Sequence, residues 1–204
     1  MLSLILLSYY SGERITKVYD KLSILLAREK IEFELIVIDD GSTDNSFKIA
    51  QHLESTHENV RAFQLSKNYT SHYAIFAGLS KCKGNCAMPI PDDEQQPYDT
   101  IVDMYRIWEK GTKVIIPYRE KRNDGFVNDL LSNTYYKTIN YLSDVTFPQG
   151  GADSFFIDRE LIDLLNDRIH PINTSSIIEV LRLGFSQFYY HYVRVKVIST
   201  KSRL

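Results

Sequence analysis

The sequence predicts an α/β domain built on a mostly parallel sheet with helices on both faces, and three observations carry that prediction. Short apolar runs alternate with helical patterns from Leu2 to Pro117. The chain has 204 residues, 44% of them hydrophobic and 25% charged, which suits one domain with a sizeable buried core. Three of the apolar runs end in polar or acidic loops, Ser8-Tyr9-Tyr10, Asp39-Asp40 and Asp92-Asp93. In an open parallel sheet all three loops lie on the edge where ligands bind.

The elements follow in order. "LSLILLS", Leu2 to Ser8, reads as a buried strand, and Ile15 to Arg28 as a helix with Val18, Leu22, Leu25 and Leu26 on its apolar face. "FELIVI", Phe33 to Ile38, is a second buried strand. Asp39 to Ser42 turns the chain into a helix from Thr43 to Leu53, with Asp44 in its first turn. Val60 to Leu65 is a third strand, Ser71 to Lys81 a helix, and Cys86 to Ile90 a fourth strand. Tyr98 to Glu109 is helical and Lys113 to Pro117 is a fifth strand. The second half is less regular: a long helix over Asn128 to Leu142, a short strand over Phe155 to Ile157, helices over Leu161 to Asn166 and Thr174 to Leu183, and a strand-like stretch from Gln187 to Ile198. No repeat or linker divides the chain, so it reads as a single domain with a ligand-binding half over residues 1–97 and a second half over 98–204.

Composition excludes several classes. A formal net charge of −2 gives no basic field for nucleic acid, and no nucleic-acid partner is expected. Two cysteines, Cys82 and Cys86, are too few for a disulfide framework and read as buried thiols. Leu2 to Leu7 is too short to span a bilayer and lacks a basic leader, so the expected compartment is cytoplasmic. There is no GxGxxG, no phosphate loop with its lysine, and no histidine pair at metal spacing.

Two acidic stretches remain. In "VIDDGSTDNS" the plain reading is a turn at Gly41 and a helix cap at Ser42 or Thr43. A double aspartate at a buried strand end exceeds what a cap requires, and a carboxylate there suits the N–H of a nucleotide base. In "IPDDEQQP", Asp92, Asp93, Glu94 and Gln95 offer hard oxygens, which suit Mg²⁺ or Mn²⁺ and not zinc. An exposed acidic turn before a helix is the competing reading. Arg119, Lys121 and Arg122 follow a strand end, either as a solvated loop or as a basic loop beside a diphosphate.

Taken in order, these stretches resemble family 2 glycosyltransferases of the GT-A fold, a Rossmann-like α/β architecture. "VIDDGSTD" resembles the family's nucleotide-binding strand end. "LSKNYTSHYAIFAGLSKCKGN", Leu65 to Asn85, resembles the "LSRNFG…A…AGL…A.GD" segment of the dolichol-phosphate mannosyltransferase and bacterial polyprenyl-phosphate glycosyltransferase branch. "IPDDEQQP" falls on that branch's "DADLQDPP", "GGADSFFIDRELID" on its "GDFRLLDRRVVD", and the closing "STKSRL" is similar to its "GESKY". The resemblance implies a nucleotide-sugar donor, UDP-sugar before GDP-mannose, held by Tyr9, Asp39, Asp40, Lys67, Asn68 and Asp92, with Tyr9 stacking on the base. It implies a divalent cation, Mg²⁺ or Mn²⁺, on Asp93 and Gln95. Two positions depart from the pattern: Pro91 stands at the first aspartate of the metal motif, and Phe155 at the arginine of "DFRL".

The implied reaction is a single displacement with inversion, in which Arg119 or Arg122 stabilises the leaving diphosphate and Asp153 serves as base if the acceptor is a hydroxyl. The acceptor is polyprenyl phosphate or a growing cell-surface glycan, and the basic, aromatic end of the chain implies contact with the inner face of the cell membrane. Two other classes stay open on the sequence: a nucleotidyltransferase, whose glycine-rich lysine loop "SYYSGERI" lacks, and a non-catalytic sugar-nucleotide-binding protein.

Overall fold

The computed structural model describes residues 1–93, 95–119, 145 and 154–193, with the side chain of Arg119 left out. The described residues form seven strands and six helices. The strands are β1 (Leu2–Ser8), β2 (Phe33–Asp39), β3 (Val60–Gln64), β4 (Cys86–Pro91), β5 (Val114–Arg119), β6 (Phe156–Asp158) and β7 (Gln187–Tyr192). The helices are α1 (Arg14–Arg28), α2 (Ser46–Thr56), α3 (Ser71–Leu79), α4 (Asp99–Trp108), α5 (Arg159–Arg168) and α6 (Ser176–Arg182).

All seven strands join one sheet in the order β3-β2-β1-β4-β6-β5-β7. The β1–β2, β2–β3, β1–β4 and β5–β7 pairs are parallel, and only β6 runs against its neighbours β4 and β5. Strand order reverses at β1, so the ends of β1, β2 and β4 form the switch point of the sheet. Register brings Ser8 beside Asp39, and Leu7 beside Pro91. The three polar strand ends therefore meet on one edge.

Burial on both faces explains why β1 and β2 read as unbroken apolar runs. Leu2, Leu4, Leu6, Leu35 and Val37 face a core closed by α1, α2 and α4. Ile5, Ile36 and Ile38 face the opposite core, closed by α3, α5 and α6. In α1 the buried Ile15, Val18, Leu22 and Leu26 recur at helical spacing and form one stripe. Helix α3 crosses β1 so closely that a Cβ on Gly78 would lie 2.3 Å from Ile5 Cγ2. No helix among the described residues is long and apolar enough to cross a membrane.

The boundaries moved in places. Helix α2 begins at Ser46, three residues after Thr43, because the Asp44 carboxylate accepts the Ser46 N–H at 3.0 Å and holds the preceding residues in bends. The last strand is described only to Tyr192, and the expected helix over 128–142 lies outside the described residues.

Candidate active site

At the carboxyl edge of β1, β2 and β4 lies a cleft of about 350 Å³. Tyr9, Asp40, Asn68 and Asp92 line it together with Ser8, Thr70 and Pro91. Residues as far apart in the chain as Leu7 and Asp92 thus share one space, because three parallel strands end side by side.

The acids at the strand ends differ in how completely they are satisfied. Asp39 is fully buried and does not line the cleft. Its carboxylate accepts hydrogen bonds from the Ser42 amide (2.9 Å), the Ser42 hydroxyl (2.6 Å), Gln64 Nε2 (2.9 Å) and the Ser8 hydroxyl (3.3 Å). It shapes the turn from inside. Asp40 is also buried, but Oδ1 accepts only the Tyr69 amide, at 2.7 Å, and among the described residues Oδ2 accepts nothing.

Gly41 makes this turn work. Its φ of +73° is the left-handed region, and a Cβ there would lie 2.4 Å from the Lys67 carbonyl carbon. The close approach seats the Lys67–Asn68 backbone against the Asp39–Asp40 turn. Lys67 places Nζ 5.0 Å from the centre of the Tyr69 ring, while Asn68 Oδ1 accepts the Thr70 amide at 3.1 Å.

Across the cleft mouth, the Tyr9 and Tyr10 rings meet edge to face at 4.5 Å, and both remain exposed. Tyr10 adopts φ +50°, a strained choice for a side chain of this size. The loop is pinned by the Tyr10 amide donating to Ser42 Oγ at 2.9 Å and by the Tyr10 hydroxyl bonding Thr43 Oγ1 at 2.9 Å.

The acidic stretch after β4 divides into two roles. Asp92 is 2% exposed, and its Oδ2 takes Arg14 Nε at 2.9 Å, Arg14 Nη2 at 2.8 Å and the Ser11 hydroxyl. Asp93 is half-buried, and its Oδ1 accepts the Gln95 amide at 3.3 Å. Gln95 Oε1 is buried with no hydrogen-bond partner among the described residues, and neither Asp93 nor Gln95 lines the cleft. No group of three or more His, Cys, Asp or Glu clusters as a metal site among the described residues. The cysteines stay thiols: burial pushes Cys82 up to about 12 and Cys86 upward as well.

Arg119 ends β5, while Glu94, Arg122 and Asp153 lie outside the described residues. Phe155 is 1% exposed, packs in the core with α5 and α6, and does not line the cleft. Sequence reasoning missed Ser11 and Arg14. Their only signal is an arginine opening a helix, where the macrodipole disfavours positive charge.

A doubly covered, mostly parallel sheet with an acid-lined cleft at its switch point defines a doubly wound α/β domain with a candidate ligand site at that edge. Within that class the chain belongs to glycosyl transferase family 2, whose model matches residues 3–165. Among its relatives are the Bacillus subtilis (strain 168) protein CsbB, 27% identical over 81% of this chain and 50% of its own, and the bactoprenol glucosyl transferase of Shigella phage SfV, 25% identical over 79% and 53%. The chain spans about half the length of the curated relatives it matches. Among solved structures, the mannosyltransferase PcManGT from Pyrobaculum calidifontis, in complex with GDP-Man and Mn²⁺, superposes with a TM-score of 0.67 at 17% identity, covering 98% of this chain and 57% of its own. Glucosyl-3-phosphoglycerate synthase from Mycobacterium tuberculosis, in complex with Mn²⁺ and UDP-Glc, gives 0.56 at 17% identity, covering 98% and 72%. These likenesses establish the fold, which is GT-A.

Proposed function

We propose that this chain carries the catalytic domain of an inverting glycosyltransferase that moves a sugar from a nucleotide-sugar donor to polyprenyl phosphate. The observation that carries the reading is the cleft in which Tyr9, Asp40, Asn68 and Asp92 converge at the switch point of the sheet. Tyr9 stacks on the base, and Asp40 Oδ2 accepts a base N–H. Uracil offers one such N–H, whereas guanine offers a pair that a carboxylate meets with both oxygens. With Oδ1 already engaged by the Tyr69 amide, a UDP-sugar fits better than GDP-mannose.

Asp39 serves from behind by fixing Ser42 and Gln64. Lys67 and Asn68 border the donor's phosphates, and Arg119 and Arg122 supply charge to the departing diphosphate. Such a group typically contributes ~3–4 kcal/mol when well placed. Asp93 and Gln95 fit a divalent cation, Mg²⁺ or Mn²⁺, because together they offer a carboxylate and an unpartnered buried amide oxygen. When bound, the cation neutralises charge on the nucleoside diphosphate.

The acceptor oxygen attacks the anomeric carbon from the face opposite the diphosphate, forming the new C–O bond as the old one breaks. A phosphate acceptor is already ionised near neutral pH and needs no base. Relatives named bactoprenol glucosyl transferase support that acceptor. The basic residues Arg194, Lys196, Lys201 and Arg203 suit an anionic membrane face, at about 1 kcal/mol each, and support a peripheral position on its cytoplasmic side.

A second acceptor, a glycan hydroxyl, is favoured by one observation. Phe155 brings a buried phenyl ring where the related branch has arginine, and Asp153 would then be the base. Incubation with labelled UDP-sugars or GDP-mannose, Mn²⁺ and either undecaprenyl phosphate or oligosaccharide separates the two. Label in the lipid is the expected result. Label only in the oligosaccharide overturns the acceptor, and nucleotide-sugar binding without transfer to either overturns the enzyme.

A further inference from the structure

Three loops build the mouth of the cleft, and a single carboxylate ties two of them together. Asp92, at the end of β4, lies 78 residues from Arg14 and 81 from Ser11, yet its Oδ2 accepts hydrogen bonds from both. The side chain of Asp92 is 3% exposed and that of Arg14 is 43% exposed. Both partners of Asp92 reach onward to the tyrosine loop. Arg14 Nη2 also donates to the Tyr10 carbonyl at 2.9 Å, and Ser11 Oγ accepts the Tyr9 amide at 3.0 Å. The backbone on either side of the Tyr9–Tyr10 pair is therefore held by groups anchored on Asp92.

Two further facts argue that this arrangement is selected for the loop and not for the helix. Arg14 opens α1, whose first turn carries no acidic residue, so its charge opposes the helix dipole and has no local explanation. Tyr10 sits at φ +50°, a conformation that persists only when its surroundings over-determine it. Arg14 and Ser42 supply that determination, one on the carbonyl and one on the amide of Tyr10.

We propose that Arg14 is a positioning residue for the donor site, forming with Asp92 a clasp that fixes the Tyr9–Tyr10 loop in the geometry that receives a nucleotide base. The fork geometry explains the residue type. Nε and Nη2 converge on one oxygen while Nη2 reaches a second acceptor, which a lysine ammonium on a flexible stem does not reproduce. The clasp rests on the donor reading of the cleft only for the choice of ligand, since the loop is held whether or not nucleotide is present.

The test compares Arg14→Ala, Arg14→Lys, Asp92→Asn and the double variant Arg14→Ala/Asp92→Asn. Hydrogen exchange read on peptides covering residues 8–13 reports the loop without any ligand. Exchange there should speed up roughly tenfold in Arg14→Ala and in Asp92→Asn, by less in Arg14→Lys, and by no more in the double variant than in either single one. Strands β1 and β2 should exchange as in the wild type. UDP titrated by calorimetry should bind roughly tenfold more weakly to Arg14→Ala, with part of the loss recovered by millimolar guanidinium ion. In turnover with saturating donor, the effect should fall on KM more than on kcat. Unchanged exchange in Arg14→Ala and Arg14→Lys overturns the clasp, as do additive effects in the double variant. Wild-type protein that binds no UDP while its loop still loosens on substitution keeps the clasp and removes the donor reading alone.

Discussion

The two ends of the sheet treat buried acid in opposite ways. At the amino end, Glu34 is 6% exposed and takes the Ser3 hydroxyl (2.6 Å), the Lys83 and Gly84 amides (2.6 and 3.1 Å) and Arg61 Nη2 (2.7 Å). Nearby, Arg159 closes the same turn by donating to the Gly84 and Cys82 carbonyls. Both oxygens have donors, and the network is a staple. At the carboxyl end, Asp40 keeps one oxygen without a partner among the described residues, and Gln95 Oε1 is orphaned. Of these two, Gln95 Oε1 is the buried one, and leaving a buried polar group unsatisfied is costly, which supports the carboxyl end as the one that the proposed ligands complete.

Breaking each end should give a different kind of loss. Asp93→Ala removes the one carboxylate of the proposed cation site and should lower transfer about a thousandfold, roughly 4 kcal/mol. The melting temperature without ligand should stay near wild type. A Mn²⁺ titration of UDP binding checks it: metal dependence that survives the substitution would remove Asp93 from the site. Glu34→Ala is the counterpart. It leaves the Arg61 charge and the Lys83 amide without their carboxylate, while the Gly84 amide keeps Ser3 Oγ at 2.9 Å, and should cost about 3 kcal/mol of stability by urea unfolding. In the folded fraction, donor affinity should be unaltered, because Glu34 sits at the far end of β2.

Much of this contrast was legible in the sequence. β1 and β4 announce themselves because a strand buried on both faces is apolar throughout, as β2 nearly is, and the tandem acids at strand ends stand out against them; β3, at the sheet edge, alternates instead. Asp40, Asn68 and Asp92 fall together because parallel strands end on one edge. What stayed hidden depends on partners far apart in sequence. Glu34 shows as a lone charge inside "FELIVI", but nothing local says that Arg61 and the Gly84 turn will meet it. Arg14 and Asp92 pair across 78 residues through the topology, which no spacing rule encodes. The three-residue β6 is too short to reveal that it would insert, reversed, between β4 and β5.

Asp40→Asn sharpens the comparison within the carboxyl end itself. The amide keeps the shape, and its oxygen can still accept the Tyr69 N–H, so the fold should be retained. On the cleft side it presents N–H where a base also presents N–H, and UDP affinity should fall about tenfold, or 1.4 kcal/mol. Calorimetry with UDP and GDP checks both magnitude and base preference: a variant that loses GDP but keeps UDP would reverse the assignment of uracil.

The smallest effect is a pH dependence that should belong to the amino end. Burial pushes the Glu34 carboxyl up, but the Ser3 hydroxyl, the Lys83 amide and Arg61 outweigh it, and the net shift is downward from the ordinary value of 4.5. A carboxyl whose pKa is lower folded than unfolded binds fewer protons in the native state. Its contribution to stability is therefore complete above 4.5 and is lost as pH falls from there through the lowered folded value. Glu34→Gln removes the titration while keeping the volume, so the urea midpoint of the wild type should exceed that of the variant by a constant amount at pH 6 and about pH 7 and converge toward it below 4.5. A gap that stays constant down to about pH 3 would mean that Glu34 holds its place by shape and neutral hydrogen bonds, and the charge on Arg61 would then need another explanation.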